Sequence, residues 1–153
     1  MFVKKLLMYK SVTVRPEQAT TRHILSLDNH VEIIEALKAF CKEKGITAGQ
    51  ITGLGATNDA TFRFLDPATM QYVDKRFAEQ MEITNLTGNI SAKDGAPYLH
   101  VHLTCSRRDY SCVGGHLLKA VINGACELVV DDFTPLAVGR VQDPETGLNM
   151  YQF

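Results

Sequence analysis

The stretch YLHVHLTCSRRDYSCVGGHLLKA, residues 98–120, decides how the chain is interpreted, because it joins a strand pattern to three of the five histidines. From Leu99 to Cys105 the odd positions are apolar, whereas the even positions can form hydrogen bonds. Side chains of a strand alternate between its two faces, so this pattern predicts a half-buried β-strand. His100 and His102 then project from the uncovered face, roughly 6–7 Å apart along the strand.

The third histidine of the stretch, His116, follows directly on Gly114-Gly115. Glycine permits a tight turn or a close backbone approach, and we expect such a turn to bring His116 back beside the pair. Neutral imidazole is the commonest metal ligand in proteins and suits zinc. We therefore predict that His100, His102 and His116 hold a divalent metal, zinc first, with a fourth position open to water, a carboxylate or a substrate. A polar outer strand face without a metal is the alternative interpretation.

Before this stretch, the sequence predicts the only long helix of the chain. Asn29 is expected to cap it, with Glu32 three residues later as in a capping box. Gly45 is expected to end it in a left-handed conformation. The expected apolar stripe of this helix consists of Val31, Ile34, Leu37 and Cys41, with Ile33 and Phe40 beside them.

Most of the remaining sequence has the composition of strands separated by turn signals. The predicted strands cover residues 23–28, 51–65, 71–77, 81–90, 97–105 and 117–130, with turns at Asp66-Pro67 and Lys93-Asp94-Gly95. Gly53-Leu54-Gly55 is expected to mark a bulge or a close backbone contact, since the third glycine of a dinucleotide-binding loop is missing. These elements predict an α/β fold of the α+β type, a mostly antiparallel sheet packed around one main helix.

Size and charge fit one cytoplasmic domain spanning residues 1–153. The chain has 45% hydrophobic residues and a net charge of −1, which is ordinary for a globular domain and unlike a basic nucleic-acid binder. The start, MFVKKLLMYK, has an apolar run too short for a signal-peptide core or a membrane span. The four cysteines form no CxxC pair, so reduced thiols are expected. Residues 135–153 are expected to dock as a tail, through Tyr151 and Phe153.

Two further residues are candidates for a catalytic role. Tyr98 shares the histidine face of the predicted strand, and Glu127 lies within the apolar run of residues 124–130. Glu127 is either an outward-facing strand residue or a partly buried acid near a site. Beside a catalytic metal, either side chain could accept a proton or orient a substrate. The sequence contains no visible Ser-His-Asp order, P-loop or nucleophile elbow.

Four short motifs occur in an order that resembles a known family. They are ITGLGA (51–56), LTGNI (86–90), YLHVHL (98–103) and GGHL (114–117). Together they resemble the plants-and-prokaryotes conserved (PPC) domain over roughly residues 20–135. The resemblance implies a mostly antiparallel sheet around one main helix and assembly into a homotrimer. It also implies that His100, His102 and His116 can hold a metal.

The resemblance raises DNA as a partner as well, because plant members of the family combine the domain with AT-hook motifs. The nearest fragment here, Gly139-Arg140-Val141, lacks the second arginine and the proline of an AT-hook. An AT-hook acts by placing arginines in the minor groove. DNA contact by this chain would therefore depend on a local basic patch such as Lys75-Arg76 or Arg107-Arg108.

Three functions are compatible with these patterns. The first is a stand-alone PPC-like domain that contains a metal and acts as an oligomeric binding or regulatory module. The second is a metal-dependent hydrolase or lyase that acts on a small molecule with water activated at the three-histidine site. The third is sequence-independent DNA contact, which would weaken steeply with salt. We favour the binding module, followed by the enzyme and then by DNA contact.

Overall fold

A continuous β-sheet with a helix packed against it makes up residues 20–153, the part of the chain that the computed structural model describes. The elements follow in the order β1 (Thr21–Leu27), α1 (Ile33–Lys44), β2 (Gly49–Asp66), β3 (Gln71–Phe77), β4 (Met81–Lys93), β5 (Ala96–Ser106), β6 (Cys112–Asp132), β7 (Gly139–Gln142) and β8 (Asn149–Gln152). The predicted class, a mostly antiparallel sheet with one main helix, is confirmed for these residues.

The long strands β2 and β6 organise the sheet. Hydrogen bonds connect the strands in the order β3-β2-β6-β5-β4-β7-β8, and β1 also pairs with β6. A further pairing of β2 with β4 closes β2, β6, β5 and β4 into a ring. The register of β2 against β4 shifts between Gly53 and Gly55, which confirms the predicted bulge and lets β2 bend around the ring.

Helix α1 covers one face of β5 and β6 and supplies part of the core. Its buried side chains are Ile33, Leu37 and Cys41, spaced one helical turn apart. They meet the buried side of β5, where Val101, Leu103 and Cys105 point inward. The apolar odd positions of the opening stretch are therefore core residues, as their alternation predicts.

The cap at the start of α1 differs from the prediction. Glu32, not Asn29, is the N-cap, and its carboxylate accepts hydrogen bonds from the backbone N–H groups of Ile34 and Glu35. The same carboxylate accepts the N–H of Ala120 in β6, so it ties the helix to the sheet. Asn29 instead accepts the N–H of Gly124. Glu32 directly precedes the first residue of α1, and its side chain is long enough to contact both α1 and β6. Asn29 lies too far before the helix to cap it.

The end of α1 agrees with the prediction. Gly45 has a φ of 68°, in the left-handed region that glycine enters without strain. Its N–H donates to the carbonyl of Lys42, and the next N–H, that of Ile46, donates to the carbonyl of Cys41. This double cap turns the chain directly into the core, where Ile46 is fully buried.

The last part of the chain adds two short strands to the sheet. Strand β7 bridges to β4 at Ala92–Gly139, and β8 pairs with β7 as a hairpin. Tyr151 packs against the guanidinium of Arg140 with 4.3 Å between the carbon of that group and the ring centre. Phe153 is 53% exposed, so the tail contacts the sheet through β7 and Arg140 more than through its terminal aromatic.

The sequence also makes predictions about membrane spans and the state of the cysteines. Within residues 20–153, no helix is long and apolar enough to cross a membrane. All four cysteines are free thiols, with Cys41, Cys105 and Cys126 buried and Cys112 exposed. Burial raises the pKa of each of the three buried thiols to about 11, so they remain protonated near neutral pH.

Candidate metal centre

Strand register, rather than a turn at the glycines, brings the three histidines together. His102 of β5 lies directly opposite His116 of β6 in the antiparallel ladder. Directly opposed residues project from the same face of a sheet, and His100 shares that face because it lies two residues away in β5. The actual turn lies at residues 107–111, where the N–H of Arg107 donates to the carbonyl of Ser111.

The glycine pair therefore has a different role from the predicted turn. Gly114 lies inside β6 opposite Thr104, and a Cβ placed there would be 2.5 Å from the carbonyl oxygen of Leu103. That separation is too short for any other residue, so glycine permits β5 and β6 to approach closely. Gly115 has a φ of 152°, which adjusts β6 immediately before His116. The predicted close approach is confirmed, and the predicted turn is wrong.

The three imidazoles converge on a small volume. One potential ligand atom from each of His100, His102 and His116 lies within 4.8 Å of the other two. The Nε2 atoms of His100 and His102 are 3.2 Å apart. Zinc–nitrogen bonds of about 2.0–2.1 Å at tetrahedral angles put two ligand nitrogens roughly 3.3 Å apart. Two of the rings are thus at the spacing of zinc ligands, and the ligand atom of His116 lies within 4.8 Å of both.

The surroundings of His100 and His116 favour the neutral form of these two rings, which is the form that binds metals. Partial burial lowers the pKa of His116 to about 4, and the neighbouring His100 and His102 act in the same direction. Burial, followed by the nearby His102 and Arg140, also lowers the pKa of His100. Lowered pKa values at His100 and His116 keep nitrogen lone pairs available to a cation. Among residues 20–153, this is the only group of three or more His, Cys, Asp or Glu side chains with this geometry.

The histidines form part of the wall of an open cleft of about 720 Å³. Tyr98, Arg63 and Arg140 line the same cleft. The Tyr98 hydroxyl lies 3.2 Å from Nδ2 of Asn149, which donates to it. The volume is within the range of pockets that take a small organic molecule. The predicted candidate Tyr98 therefore lies beside the histidines, on the strand face that the sequence assigns to it.

Glu127, the other catalytic candidate, is not near this cleft. It is exposed near the opposite end of β6, where it opposes Ser26 of β1 and Leu54 of β2. Its neighbours in a shallow depression are Ile24, Leu54 and Asn85. The outward-facing alternative for Glu127 is thus the one the fold adopts, and the structure does not bring it together with the metal candidates.

One arginine of each basic patch considered for DNA is paired with an acid. Arg76 forms a two-pronged ion pair with Asp59, with N–O distances of 2.7 and 2.9 Å. Arg107 forms an ion pair with Glu79. Such pairing occupies guanidinium donors that a phosphate would need. These patches therefore offer less positive charge than the sequence indicates.

Residues of the C-terminal strands also contribute to the cleft, which the sequence pattern does not reveal. Arg140 of β7 and Asn149 of β8 line it beside His100. In the sequence, Arg140 is noticeable only as part of an incomplete AT-hook fragment. The β4–β7 bridge places it there, and no local spacing signal predicts that pairing.

Comparison with known proteins identifies the family. Residues 14–134 match the family described as the Plants and Prokaryotes Conserved (PCC) domain, the PPC domain named above. The chain belongs to this family, as its four ordered motifs indicate. No match to the chain was found among curated proteins.

Solved structures with this fold include proteins from bacteria and archaea. A candidate DNA-binding protein from Bacteroides thetaiotaomicron is 53% identical, with a TM-score of 0.84 over 86% of this chain and 92% of its own. A metal-containing protein from Archaeoglobus fulgidus is 34% identical, with a TM-score of 0.81 over 87% and 94% of the two chains. A PPC protein from Pyrococcus horikoshii is 22% identical, with a TM-score of 0.82 over 92% and 98%. The last of these likenesses concerns the fold alone.

Proposed function

We propose that this protein is a metal-containing binding module in which His100, His102 and His116 hold a divalent ion, with zinc as the first choice. The observation that carries the proposal is the convergence of one nitrogen from each ring within 4.8 Å, on a face that opens into a cleft. The similar archaeal protein is described as metal-containing, which supports the same assignment. A bound ion would supply a Lewis-acidic centre with at least one coordination position facing the cleft.

The donor set fits this group. All three side chains offer nitrogen, which suits zinc and other late divalent ions better than calcium or magnesium. Among residues 20–153 no carboxylate lines the cleft, so a fourth ligand would be water or an incoming molecule. All three histidines belong to one chain, and we propose that a single subunit holds the ion. The competing explanation is a hydrogen bond between the Nε2 atoms of His100 and His102 without any metal.

Elemental analysis of untagged protein tests the assignment. We expect close to one metal ion per chain in the wild type and none in the folded His100→Ala, His102→Ala double variant. His30→Ala is the matched control, because His30 is exposed and lies outside the cluster. A wild-type protein without metal after incubation with zinc would refute the proposal and favour the hydrogen-bonded pair.

A metal-dependent hydrolase or lyase is the second candidate. The observation in its favour is that the histidines open into a cleft large enough for a small molecule, with Tyr98 beside them. Zinc-bound water can be deprotonated near neutral pH. This version predicts turnover that disappears on metal removal and falls in Tyr98→Phe with the metal retained. Absence of turnover across ester, amide and carbon–carbon bond substrates would leave the binding module.

We further propose that the domain, spanning residues 1–153, assembles as a homotrimer in the cytoplasm. Family resemblance supports the trimer, and exposed apolar side chains such as Ile24 (83%) and Phe64 (65%) are consistent with covered surfaces. Free thiols fit a reducing compartment. Light scattering coupled to gel filtration should give about three times the 17.0 kDa chain mass. A mass of one chain at micromolar concentration would contradict the trimer.

A further inference from the structure

Arg140 carries a positive charge beside the histidines without an acidic partner. Within residues 20–153, no carboxylate oxygen lies within 4.0 Å of its guanidinium, whereas Arg63 in the same cleft is paired with Asp74. Three neutral groups hold Arg140 instead. Nε donates to Ser91 Oγ at 2.7 Å, Nη1 to the carbonyl of Asn149 at 2.7 Å, and Nη2 to Asn89 Oδ1 at 2.6 Å. A guanidinium has five N–H donors, so residues 20–153 leave two of them unused.

Aromatic rings fix the orientation of this group. The guanidinium carbon of Arg140 lies 4.9 Å from the centre of the Tyr98 ring and 4.3 Å from that of Tyr151. Three directed hydrogen bonds and two rings leave little rotational freedom to a side chain that would otherwise be mobile. A pre-oriented guanidinium loses less entropy when it binds a planar or tetrahedral oxyanion.

The charge of the cleft is positive on balance because of Arg140. Of the two charged residues in its wall, Arg63 is compensated by Asp74 and Arg140 is not, and no Asp or Glu of residues 20–153 is part of that wall. Lys93 lies nearby, with its ammonium 2.8 Å from Asn149 Oδ1 and no carboxylate of residues 20–153 within 4.0 Å. A metal ion on the histidines would add further positive charge. A partly buried excess of one sign stabilises a counter-ion strongly, because solvent screens it less than on an open surface.

From this arrangement we propose that the cleft binds a small metabolite carrying a carboxylate or phosphate group, and that Arg140 receives this oxyanion beside the three-histidine centre. The proposal rests on the proposed function only for the metal-facing end of the ligand; the Arg140 contact does not require the ion. Charge-assisted hydrogen bonds from the two unused N–H groups would hold the oxyanion. Arg140 is thereby a binding and specificity residue, and the rest of the ligand would extend along the cleft toward the histidines.

Calorimetric titration with sodium succinate and, separately, with sodium phosphate tests the proposal in metal-free and zinc-loaded protein. We expect one of the two probes to bind wild type, with its Kd raised at least tenfold in Arg140→Gln and less in Arg140→Lys, which keeps the charge. Which probe binds more tightly distinguishes a carboxylate from a phosphate ligand. Arg108→Gln is the matched control, because Arg108 is an exposed arginine remote from the cleft.

The outcomes separate this proposal from the metal assignment. Binding that depends on Arg140 in the metal-free protein supports the anion site even if zinc fails to bind. Zinc binding without an effect of Arg140→Gln on either probe overturns the anion site while leaving the metal centre intact. Failure of both probes to bind wild type also overturns it. Because Arg140 helps attach β7, circular dichroism of each variant is compared first, and the milder Arg140→Lys serves as the reference if Arg140→Gln unfolds.

Discussion

The two faces of β5 differ in almost every physical property although they alternate residue by residue. The covered face carries Val101, Leu103 and Cys105, each 1% exposed or less, under α1. The open face carries His100 and His102, which meet His116 across the ladder. One strand therefore contributes to the core with one set of positions and presents imidazoles with the other. From this difference we expect substitutions of the histidines to disturb the fold less than substitutions in the core.

The strongest test of this difference is truncation on the covered face. Leu103→Ala should lower the free energy of unfolding by about 2–5 kcal/mol, because it opens a cavity in a close-packed core. Urea denaturation measures the loss. Leu54→Ala is the matched control, since Leu54 is 56% exposed and should change the stability by less than about 1 kcal/mol. Equal losses for the two variants would contradict the assignment of Leu103 to the core.

A second substitution affects both faces together. Gly114→Ala should destabilise by about 1–3 kcal/mol and weaken zinc binding, because the new methyl group would force β5 and β6 apart at the histidines. Zinc titration with a competing chelator reports the affinity. Gly139→Ala is the control, because a Cβ there would be no closer than 3.4 Å to its nearest neighbour, a side-chain oxygen of Gln152. Unchanged zinc affinity in Gly114→Ala would show that close strand approach does not position the ligands.

Acid should lower the free energy of unfolding of the metal-free protein through His116, on the open face of β5 and β6. The pKa of His116 is about 4 in the folded chain, below the roughly 6.5 of an unperturbed imidazole. Between these values the unfolded chain binds more protons, so the stability should fall as the pH is lowered from about 6.5 toward 4. Urea midpoints at several pH values measure the slope. His116→Gln should flatten it; an unchanged slope in His116→Gln would assign the acid sensitivity elsewhere.

The smallest expected effect is that of an arginine substitution on DNA affinity. Because Asp59 and Glu79 pair with Arg76 and Arg107, a 20-base-pair duplex should bind with a Kd weaker than about 10⁻⁴ M at physiological salt. Fluorescence anisotropy measures the affinity, and Arg76→Gln should leave it unchanged. Micromolar binding with a steep salt dependence, lost in Arg76→Gln, would reverse this conclusion and favour a DNA-contacting role.

Sequence patterns predict the covered face of β5 and the outward orientation of its histidines, because both depend on local alternation. The parity of residues 99–105 is enough to assign Leu103 inward and His102 outward. The helix end at Gly45 is also local, since it needs only a residue that tolerates a positive φ. These features follow from the geometry of a single strand or helix.

Features that depend on pairing between distant segments are not predictable in the same way. Glu32 caps α1 because it also reaches Ala120, a contact across 88 residues of sequence. His116 reaches its partners through register rather than through a turn, and Arg140 reaches the cleft through the β4–β7 bridge. Glu127 also points outward, but the residues that lie opposite it, Ser26 and Leu54, are not potential metal ligands. It therefore forms no cluster like that of the histidines. The orientation of a side chain is determined by its own strand, whereas the convergence of several side chains depends on the pairing of strands across the sheet.

X-ray absorption spectroscopy of the zinc-loaded protein counts the ligands around the ion and so tests whether the three histidines bind it. We expect three imidazole nitrogens at about 2.0–2.1 Å with an additional oxygen, and two imidazoles in His116→Gln. Sulfur at about 2.3 Å, which would indicate a cysteine ligand such as the exposed Cys112, would contradict it. An unchanged imidazole count in His116→Gln would contradict it equally.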